Sequence, residues 1–199
     1  MGGLYRKRLG IPLLVALAVA IASAAVWWQL AQRLPKRFAT VVEGRLYRSG
    51  QISPAQLERL VRGYGIRTVV SLLDREARVS VAERRTAERL GIAWHCVPLP
   101  GDGASTPAER AQVKTLLFDP DAGSTLVHCA AGVNRTGLAV GMYRLHVQGW
   151  PLEQVLEEMR AFGFEDRAHH ANLRDALAAE AALAHEKREA PPQGESPGS

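Results

Sequence analysis

Three features of this 199-residue sequence predict an α/β fold, in which a small, mainly parallel, twisted sheet is flanked by helices and preceded by a transmembrane helix. From about residue 40, short apolar stretches of strand length alternate with segments of helical pattern. Strands separated by helices pair in parallel through right-handed crossovers. An uncharged stretch near the N-terminus has the length of a membrane span. The hydrophobic content, 47%, is enough for one buried core.

The predicted transmembrane helix is the segment Ile11–Leu30, a single span of twenty residues without a charge. At a rise of about 1.5 Å per residue, this length matches a hydrocarbon core of roughly 30 Å. Trp27 and Trp28 lie near its end, where indole rings favour the bilayer interface. A cleaved signal peptide is the alternative, since Arg6–Arg8 are basic and Ala22–Ala24 form a small-residue cleavage site. The apolar run continues past that site, which favours an uncleaved anchor.

The positive charge of the chain is concentrated at its N-terminus. The formal net charge is +5, yet the first acidic residue is Glu43 and six basic residues precede position 38. The remainder carries 19 basic and 20 acidic side chains, a net charge of −1. A near-neutral domain offers no basic surface, so we expect no nucleic-acid partner. Basic residues flank the apolar segment on both sides, but a short basic tail favours a cytoplasmic N-terminus with the domain exported.

The first elements of the domain are indicated by turn and capping residues. Residues 41–48 have the pattern of a short hairpin or edge strand that turns at Gly44. The sequence Ser53–Gln56 predicts a helix with a capping box and a proline in its first turn. That helix ends at Gly63 or Gly65, since glycine favours the left-handed conformation that terminates helices.

The remaining elements alternate in the same way. Ser80–Glu83 and Thr106–Glu109 predict two further capped helices, which reach Leu90 and about Phe118. Strands are predicted at 68–73, 92–99 and 125–128, and further helices at 135–149, 152–162 and 167–184. The predicted organisation is a basic tail at 1–10, the anchor at 11–30, a linker at 31–39, the domain at 40–184 and a disordered, polar tail at 185–199.

The motif Val127–Gly137 indicates a thiolate nucleophile beneath a bound phosphate. Cys129 follows a short apolar strand, Arg135 comes six positions later, and the hydroxyl residue Thr136 stands next to that arginine. In parallel sheets ligands bind beyond the carboxyl ends of the strands, which is where the strand 125–128 places the cysteine. The coarse fold and the motif therefore indicate the same site.

The loop after Cys129 suits a phosphate dianion, because its backbone N–H groups can surround the phosphate oxygens and lead into a helix N-terminus. The loop residues are Ala130, Ala131, Gly132, Val133, Asn134 and Arg135. Gly132 permits the tight turn at positive φ, and the Arg135 fork binds two phosphate oxygens. These donors also stabilise the thiolate, so we expect a lowered pKa for the cysteine thiol. Thr136 is placed to hydrogen-bond the sulfur, and His128 to fix the loop by hydrogen bonding.

Phosphoryl transfer also needs an acid that protonates the leaving oxygen. Asp102 is the first candidate, because it follows the predicted strand 92–99 on the same edge of the sheet and its glycine neighbours allow the loop to move. Asp74 and Glu76 share that edge and are the next candidates, and Asp166 is a weaker third. A solvated turn aspartate is the alternative interpretation of Asp102.

The motif His128–Thr136 resembles the signature of the cysteine-dependent protein tyrosine and dual-specificity phosphatase superfamily. The segments Leu46–Gln51 and Gly65–Leu72 are similar to those of its compact bacterial dual-specificity-like members. The resemblance covers about residues 40–180. It implies the dual-specificity phosphatase-like fold, a small twisted sheet with helices on both faces, and an enzyme that needs no metal and no cofactor.

By this resemblance Cys129 is the nucleophile, Arg135 binds the phosphate, and Asp102, 27 residues before the cysteine, is the general acid. The implied function is that of a membrane-anchored phosphatase with a phosphocysteine intermediate, acting on phosphotyrosine, with phosphoserine and phosphothreonine as further candidates. The loop lacks the lysines of relatives that act on highly phosphorylated inositols, which favours singly phosphorylated side chains. A phosphoinositide or lipid-phosphate phosphatase and a non-catalytic phosphate-binding module are the alternatives.

The two cysteines, Cys96 and Cys129, are too few for a disulfide framework. The favoured interpretation of Cys96 is a plain core cysteine, because free cysteines are usually buried and inert. A protective disulfide between the two under oxidation is the alternative.

Overall fold

The computed structural model describes residues 14–23 and 33–189. These residues fall into two compact units, divided between Leu34 and Pro35. In the first unit residues 14–23 form a helix, α1, whose leucine, valine and isoleucine side chains are exposed. Within the described ranges no helix is both long enough and apolar enough to cross a membrane. The other residues of the predicted span Ile11–Leu30 lie outside the described residues.

The described part of the second unit contains a mixed sheet. Its strands are β1 (Ala39–Val42), β2 (Leu46–Ser49), β3 (Thr68–Ser71), β4 (Ala93–Cys96) and β5 (Thr125–His128). Their order in the sheet is β1-β2-β5-β3-β4. All neighbours are parallel except β1, which is antiparallel to β2 at one edge, so the sheet is mainly parallel as the sequence predicts. The predicted turn at Gly44 joins these two strands, with a left-handed φ of +67°.

Helices cover both faces of this sheet. In the described chain they are α2 (Pro54–Tyr64), α3 (Arg78–Leu90), α4 (Pro107–Phe118), α5 (Asn134–His146), α6 (Leu152–Ala161) and α7 (Ala171–Glu189). The capping boxes predicted at Ser53 and Thr106 are present, and each hydroxyl accepts from the backbone N–H three residues later. Gly65 and Gly91 follow α2 and α3 in the left-handed conformation, which ends these helices.

The capping box predicted at Ser80–Glu83 is wrong. α3 begins at Arg78, and its N-cap residue Ala77 lies three positions before the predicted cap and makes no side-chain cap hydrogen bond. The Ser80 hydroxyl instead donates to the carbonyl of Asp74 at 2.6 Å, which closes the loop after β3. Glu83 is turned inward and only 2% of it is exposed. Its carboxylate therefore binds groups in the interior rather than the end of the helix.

Apolar side chains alternate along the strands and build a core on each face of the sheet. Val69 and Leu126 pack in the cluster that includes α2 and α3. Their neighbours Val70 and Val127 pack in the opposite cluster, with residues of α4 to α7. α5 is the central helix of that second layer, since every residue from 136 to 145 is buried. The packing therefore fixes the position of the helix that follows the cysteine motif.

The strand predicted at 92–99 is shorter in the structure, where β4 ends at Cys96. Residues 97–99 continue alongside the end of β3 but are not part of a strand. Val97 N donates at 3.0 Å and Leu99 N at 3.4 Å to carbonyls at the end of β3. The residues that follow each of them, Pro98 and Pro100, have no N–H to continue a ladder. The chain therefore leaves β4 along the carboxyl edge of the sheet.

α7 extends five residues into the tail predicted as disordered at 185–199. Ala184 is buried, and Arg188 Nη1 donates to the carbonyl of Leu145 at 3.0 Å, so the end of the helix is attached to α5. These contacts stabilise the extension although its composition is polar. Residues 190–199 lie outside the described residues.

A buried carboxylate, Glu180, holds α4, α5 and α7 together. Its oxygens accept from Arg110 at 2.8 Å, from Lys114 at 2.7 Å and from His146 at 2.7 Å. Burial by itself would raise the pKa of this carboxyl, but the bonds from Lys114, Arg110 and His146 outweigh burial and lower the pKa. A carboxyl whose folded pKa is lowered contributes stability above its unfolded pKa.

We expect Glu180→Gln to reduce the free energy of unfolding at neutral pH by about 3 kcal/mol, because its cationic partners lose their buried counter-charge. Since the folded pKa is lowered, the difference is fully present above the ordinary carboxyl pKa and is lost as the pH falls through the folded pKa. Urea unfolding of both proteins at about pH 7 and about pH 3 measures it. Glu157→Gln, an exposed position on α6, is the control. A difference that persists unchanged in acid would contradict this assignment.

Candidate active site

The cysteine motif lies at the carboxyl edge of the sheet, as predicted. β5 runs between β2 and β3, and the three strands end in register. Cys129 follows β5 directly, the loop 130–133 turns after it, and α5 begins at Asn134. The loop therefore joins a strand end to a helix N-terminus, an arrangement that favours the binding of an anion.

Three successive carbonyl groups of this loop are bound by donors from other segments. The carbonyls of Ala130–Gly132 accept, in chain order, from Gln51 N at 3.0 Å, Arg37 Nη1 at 2.9 Å and Arg48 Nη2 at 2.9 Å. A trans peptide unit is planar, with its C=O and N–H pointing in opposite directions. The N–H groups that follow these carbonyls are therefore turned to the inner side of the loop, toward Cys129.

The inward direction is visible in the hydrogen bond from Gly132 N to Cys129 Sγ, at 3.2 Å. Burial opposes ionisation of this thiol, of which only 2% is exposed. Hydrogen bonds from the hydroxyl and backbone N–H of Thr136 and from Gly132 N, together with the charge of Arg135, outweigh burial and lower the pKa of the Cys129 thiol. The direction is the one that the sequence predicts for a nucleophilic thiolate.

Two glycines allow the loop to pack against the end of β2. Gly132 has φ +74°, and a Cβ at this position would lie 2.7 Å from Gly50 N and 2.8 Å from the carbonyl carbon of Ser49. A Cβ on Gly50 would lie 3.0 Å from the carbonyl oxygen of Ala130. Backbone meets backbone at both positions, so no side-chain movement can make room. The loop geometry therefore requires glycine at position 132, whereas a side chain at position 50 would need the loop backbone to give by a few tenths of an ångström.

Arg135 connects the loop to the two neighbouring strand ends. Its Nη1 donates to the carbonyls of Leu72 at 3.1 Å and Leu99 at 3.2 Å, which follow β3 and β4. The buried Thr136 hydroxyl lies beside the cysteine sulfur and also contacts the carbonyl of Ser49 at 3.4 Å. Both predicted residues are therefore brought next to Cys129 by the first turn of α5.

Asn134, the first residue of α5, is held from the loop before α7. The carbonyl of Glu165 accepts from His170 Nδ1 at 2.7 Å, so His170 Nε2 is the acceptor for the Asn134 side-chain amide at 3.2 Å. The side-chain amide of Asn134 is thus engaged with the protein through His170.

Asp102, the first predicted acid, lies three residues beyond Leu99, whose carbonyl binds Arg135. Three residues span at most about 11 Å, which keeps this aspartate at the same edge of the sheet as the cysteine. It is exposed, and its Oδ1 accepts from the N–H two residues later at 3.0 Å. Gly103, at φ +85°, packs so closely on Leu173 that a Cβ would lie 2.5 Å from it. This contact attaches the loop to α7.

The other predicted acids differ in their surroundings. Asp74 and Glu76 are exposed in the loop after β3, where Asp74 Oδ1 accepts from Glu76 N at 2.9 Å. Asp166 is bound by Arg174 at 2.9 Å and by Arg160 at 3.6 Å. Because guanidinium groups occupy both of its oxygens, Asp166 is the least suited to donate a proton.

In the described part of the chain no group of three His, Cys, Asp or Glu side chains is placed to hold a metal ion.

His128, predicted to fix the loop, is fully buried and has a partner at each ring nitrogen. Nδ1 lies 3.4 Å from the carbonyl oxygen of Cys129, and Nε2 lies 3.0 Å from Glu83 Oε1. The same carboxylate oxygen accepts from Trp94 Nε1 at 2.7 Å. Sequence reasoning assigned Glu83 to a helix cap and missed this role. The buried Ala87, four residues later on the same helix face, is the signal that indicates an inward position.

Two arginines outside the motif also shape the loop, and sequence reasoning does not identify them. Arg48 is 1% exposed, and its guanidinium lies 3.7 Å above the ring of Phe162. Burial lowers its pKa to about 10, against the opposing charges of Glu158 and Cys129. Arg37 Nε donates to the carbonyl of Phe162 at 2.8 Å. The end of α6 therefore orients both side chains that bind the outer side of the loop.

Cys96 cannot pair with Cys129 in this fold, because β3 runs between their strands. Adjacent strands are about 4.8 Å apart, so the two Cα atoms are separated by about 10 Å, and a disulfide allows about 7 Å. The Cys96 thiol donates to the carbonyl of Leu73 at 3.2 Å, and burial raises its pKa. It is half-buried at a cavity of about 400 Å³ rather than in the core.

Comparisons with known proteins agree with this geometry. A family model described as the tyrosine phosphatase family matches residues 34–189. The dual specificity protein phosphatase TpbA of Pseudomonas aeruginosa strain UCBPP-PA14 is 34% identical over 133 residues, which are 67% of this chain and 56% of TpbA. TpbA of strain PAO1 is 32% identical over 133 residues, which are again 67% of this chain and 56% of TpbA. The chain thus spans about half the length of these curated relatives.

Solved structures show the same fold. The crystal structure of P. aeruginosa TpbA has a TM-score of 0.57 and 31% identity, and the match covers 71% of this chain and 86% of that chain. A second TpbA crystal structure, in complex with pTyr, matches at 30% identity and the same TM-score. The core catalytic domain of the PP-IP phosphatase SIW14 from S. cerevisiae has a TM-score of 0.65 at 22% identity, covering 78% of this chain and 94% of that chain. At that identity the likeness concerns the fold alone.

We expect Cys129 to react with iodoacetamide at a lower pH than Cys96, because the thiolate is the reacting form. Burial raises the pKa of Cys96, whereas at Cys129 the hydrogen bonds and the charge of Arg135 outweigh burial and lower it. The labelling of Cys129 should therefore begin to rise at a lower pH than the labelling of Cys96. Peptide mass spectrometry after brief labelling at a series of pH values measures both curves.

The matched variant is Thr136→Val, which removes the hydroxyl beside the sulfur and keeps the shape of the side chain. It should move the labelling curve of Cys129 to higher pH and leave that of Cys96 in place. Coinciding curves for the two cysteines in the unmodified protein would contradict the lowered pKa.

Proposed function

We propose that this chain, which belongs to the family of cysteine-dependent tyrosine and dual-specificity phosphatases, hydrolyses phosphate monoesters through a phosphocysteine intermediate at a membrane. The observation that carries the proposal is the loop after Cys129, whose carbonyls are bound from the outer side, whose Gly132 N–H donates to the sulfur, and which lowers the pKa of the thiol. Such a loop favours the ionised form of the nucleophile and supplies the donors that a phosphate dianion needs.

In the first proposed step the Cys129 thiolate attacks phosphorus, and the S–P bond forms as the P–O bond to the leaving group breaks. The loop N–H groups and Arg135 stabilise the charge on the three other phosphate oxygens. Asp102 donates its proton to the leaving oxygen. In the second step water attacks phosphorus, its proton passes to the Asp102 carboxylate, and the Thr136 hydroxyl hydrogen-bonds the departing thiolate.

The substrate class that we propose is the phosphorylated side chain of a protein, phosphotyrosine first and phosphoserine or phosphothreonine second. TpbA is named a dual specificity protein phosphatase, and a TpbA structure contains pTyr. Within the loop of this chain, Ala130, Ala131 and Val133 are small or uncharged. One phosphate group satisfies the backbone donors and Arg135, which suits a monoester with a single phosphate.

We expect Cys129→Ser to abolish hydrolysis of p-nitrophenyl phosphate in the presence of EDTA, because a serine hydroxyl is not ionised at neutral pH. Steady-state kinetics of the two proteins measure the effect, and thermal unfolding shows that the variant is folded. Activity that survives this substitution would exclude the phosphocysteine mechanism. Activity that EDTA removes would indicate metal-dependent chemistry instead.

In the same assay Asp102→Asn should lower kcat by about 100-fold on an alkyl phosphate, whose leaving oxygen needs a proton. The loss should be smaller on p-nitrophenyl phosphate, because nitrophenolate leaves without one. Asp74→Asn and Glu76→Gln are the matched controls, since both carboxyls are exposed at the same edge. A larger loss in either control would assign the acid to that residue.

We further propose that Ile11–Leu30 anchors the domain to a membrane, with the N-terminus in the cytoplasm and the domain exported. The uncharged length of the segment and the exposed apolar side chains of residues 14–23 support this proposal. An exported domain beside a bilayer would meet phosphorylated substrates near the membrane surface.

We expect the full chain to sediment with membranes and to remain there in high salt, because apolar burial rather than charge retains it. Deletion of residues 1–33 should move the protein to the soluble fraction. Protease treatment of spheroplasts should digest the domain if it is exported and spare it if it is cytoplasmic. A soluble, shortened product that begins near Ala25 would support the signal-peptide alternative.

A further inference from the structure

The strand β4 lies at one edge of the sheet and has backbone groups that no other segment of the described chain binds. Ala93 N and Val97 N donate to carbonyls on the β3 side, at 2.9 Å and 3.0 Å. In a parallel ladder the residues between such positions turn their N–H and C=O groups the other way. The N–H groups of Trp94 and Cys96 and the carbonyl of Trp94 therefore point to the free edge of the sheet.

A groove runs along this free edge, and we call it the β4 groove. Its cavity of about 400 Å³ is lined by Trp94–Val97, by Arg75 from the loop after β3, and by Gln112, Thr115 and Leu116 of α4. The residues of β2, β3 and β5 are all buried, whereas those of β4 alternate between exposed and half-buried. An unpaired strand edge is a template for a further strand, and the groove lies where that strand would be added.

A guanidinium group is held at the β4 groove. Arg75 Nη2 donates to the carbonyl of Cys96 at 3.2 Å, and Arg75 Cζ lies 5.8 Å from the centre of the Trp94 ring. The Nε and Nη1 atoms of Arg75 have no hydrogen-bond partner within the described residues. His95 and Gln112 contribute further side chains that can donate. Among the described residues that line the groove there is no carboxylate.

The carboxylates near the groove are engaged elsewhere. Three of them interact electrostatically with Cys96 without lining the groove, namely Glu83, Asp74 and Glu76. Glu83 is 2% exposed and is bound in the interior. Asp74 Oδ1 accepts from Glu76 N at 2.9 Å. The groove therefore presents an excess of donors, from two backbone N–H groups and a guanidinium, and its charge is complementary to an acidic partner.

We propose that the free edge of β4 is a docking site for an extended, acidic segment of a partner protein. The segment pairs as an added strand with the N–H and C=O groups of Trp94 and the N–H of Cys96, and one of its carboxylates binds Arg75. In this mode main-chain hydrogen bonds supply the affinity, and the guanidinium selects an acidic side chain. Because β3 separates the groove from the strand that leads to Cys129, docking is independent of the proposed hydrolysis.

The probe is a fluorescein-labelled hexapeptide of alternating glutamate and valine, which carries no phosphate and has the side-chain alternation of a strand. Its fluorescence anisotropy should rise when the full chain is added in mild detergent. A matched peptide of alternating lysine and valine should bind at least about tenfold more weakly, because it places positive charge against Arg75. Equal binding of the two peptides, or binding of neither, would overturn the proposal.

Two variants test the groove from its two walls. Arg75→Gln should weaken binding of the acidic peptide at least about threefold, because it removes the positive charge of the groove. Arg85→Gln, at an exposed arginine of α3 outside the groove lining, is the matched control and should leave binding unchanged. Thr115→Trp fills the groove from α4 without a change of charge and should weaken binding at least about tenfold. An equal loss in both arginine variants, or none in Thr115→Trp, would contradict docking in the groove.

Hydrogen exchange measured by NMR tests the strand pairing itself and needs no variant. In the free protein the amides of Trp94 and Cys96 should exchange rapidly, whereas those of Ala93 and Val97 are protected by their bonds to the β3 side. Saturation with the acidic peptide should slow exchange of the Trp94 and Cys96 amides at least about tenfold. Peptide binding that leaves these two amides unprotected would show that the edge is not the docking site.

A second copy of this chain is the other possible occupant of the edge. Protection of the Trp94 and Cys96 amides in the free protein, together with a dimer in sedimentation equilibrium, would assign the edge to self-association and overturn the proposal. Anisotropy and hydrogen exchange need no hydrolysis of a phosphate ester, so both report on docking even if the protein hydrolyses none.

Discussion

The site depends on the direction in which three carbonyl groups point. A loop that leaves a parallel strand has N–H and C=O groups on both sides, and nothing in its own sequence decides which side faces the cysteine. Here Gln51 N, Arg37 and Arg48 bind the carbonyls of Ala130–Gly132 on the outer side. Because each peptide unit is planar, the N–H groups are then fixed on the inner side before any ligand arrives. Donors held in advance need no reorganisation during reaction, which is the property that makes them effective for phosphoryl transfer.

Segments far from the motif in sequence maintain this arrangement. Gly50 and Gly132 bring two backbones into direct contact, so the end of β2 and the loop must move together. Arg48 is buried against Phe162 at the end of α6, which makes the third carbonyl bond a product of core packing rather than of a mobile surface side chain. α5 is buried along nearly its whole length, and it cannot shift without disturbing the layer of α4 to α7. The loop is therefore held from the strand side and from the helix side at once.

The parts of this structure that follow from local rules could be predicted from the sequence. The helix starts at Ser53 and Thr106 are such parts, because each capping box satisfies its own backbone donors. At Ser80–Glu83 the same pattern does not form a capping box, because the Glu83 carboxylate binds Trp94 of β4 and His128 of β5 in the interior. These two partners are far from Glu83 in sequence and reach it only in the folded chain. The role of Arg48 and the separation of Cys96 from the active-site cysteine depend on strand order. In both cases the deciding fact is that β5 inserts between β2 and β3, and no local pattern reports this.

The position of the candidate acid is also set by packing rather than by free loop motion. The glycines around Asp102 suggest a mobile loop in the sequence, but Gly103 adopts positive φ to fit against Leu173 of α7. On its other side the loop is bound through Leu99 to Arg135, which also interacts with the sulfur. In the proposed function the phosphate draws on the donors of Arg135, so its binding would act through this one side chain on the segment that carries the aspartate. For Asp102 to serve as the acid, the distance to the leaving oxygen must then be determined by α7 and by that arginine together.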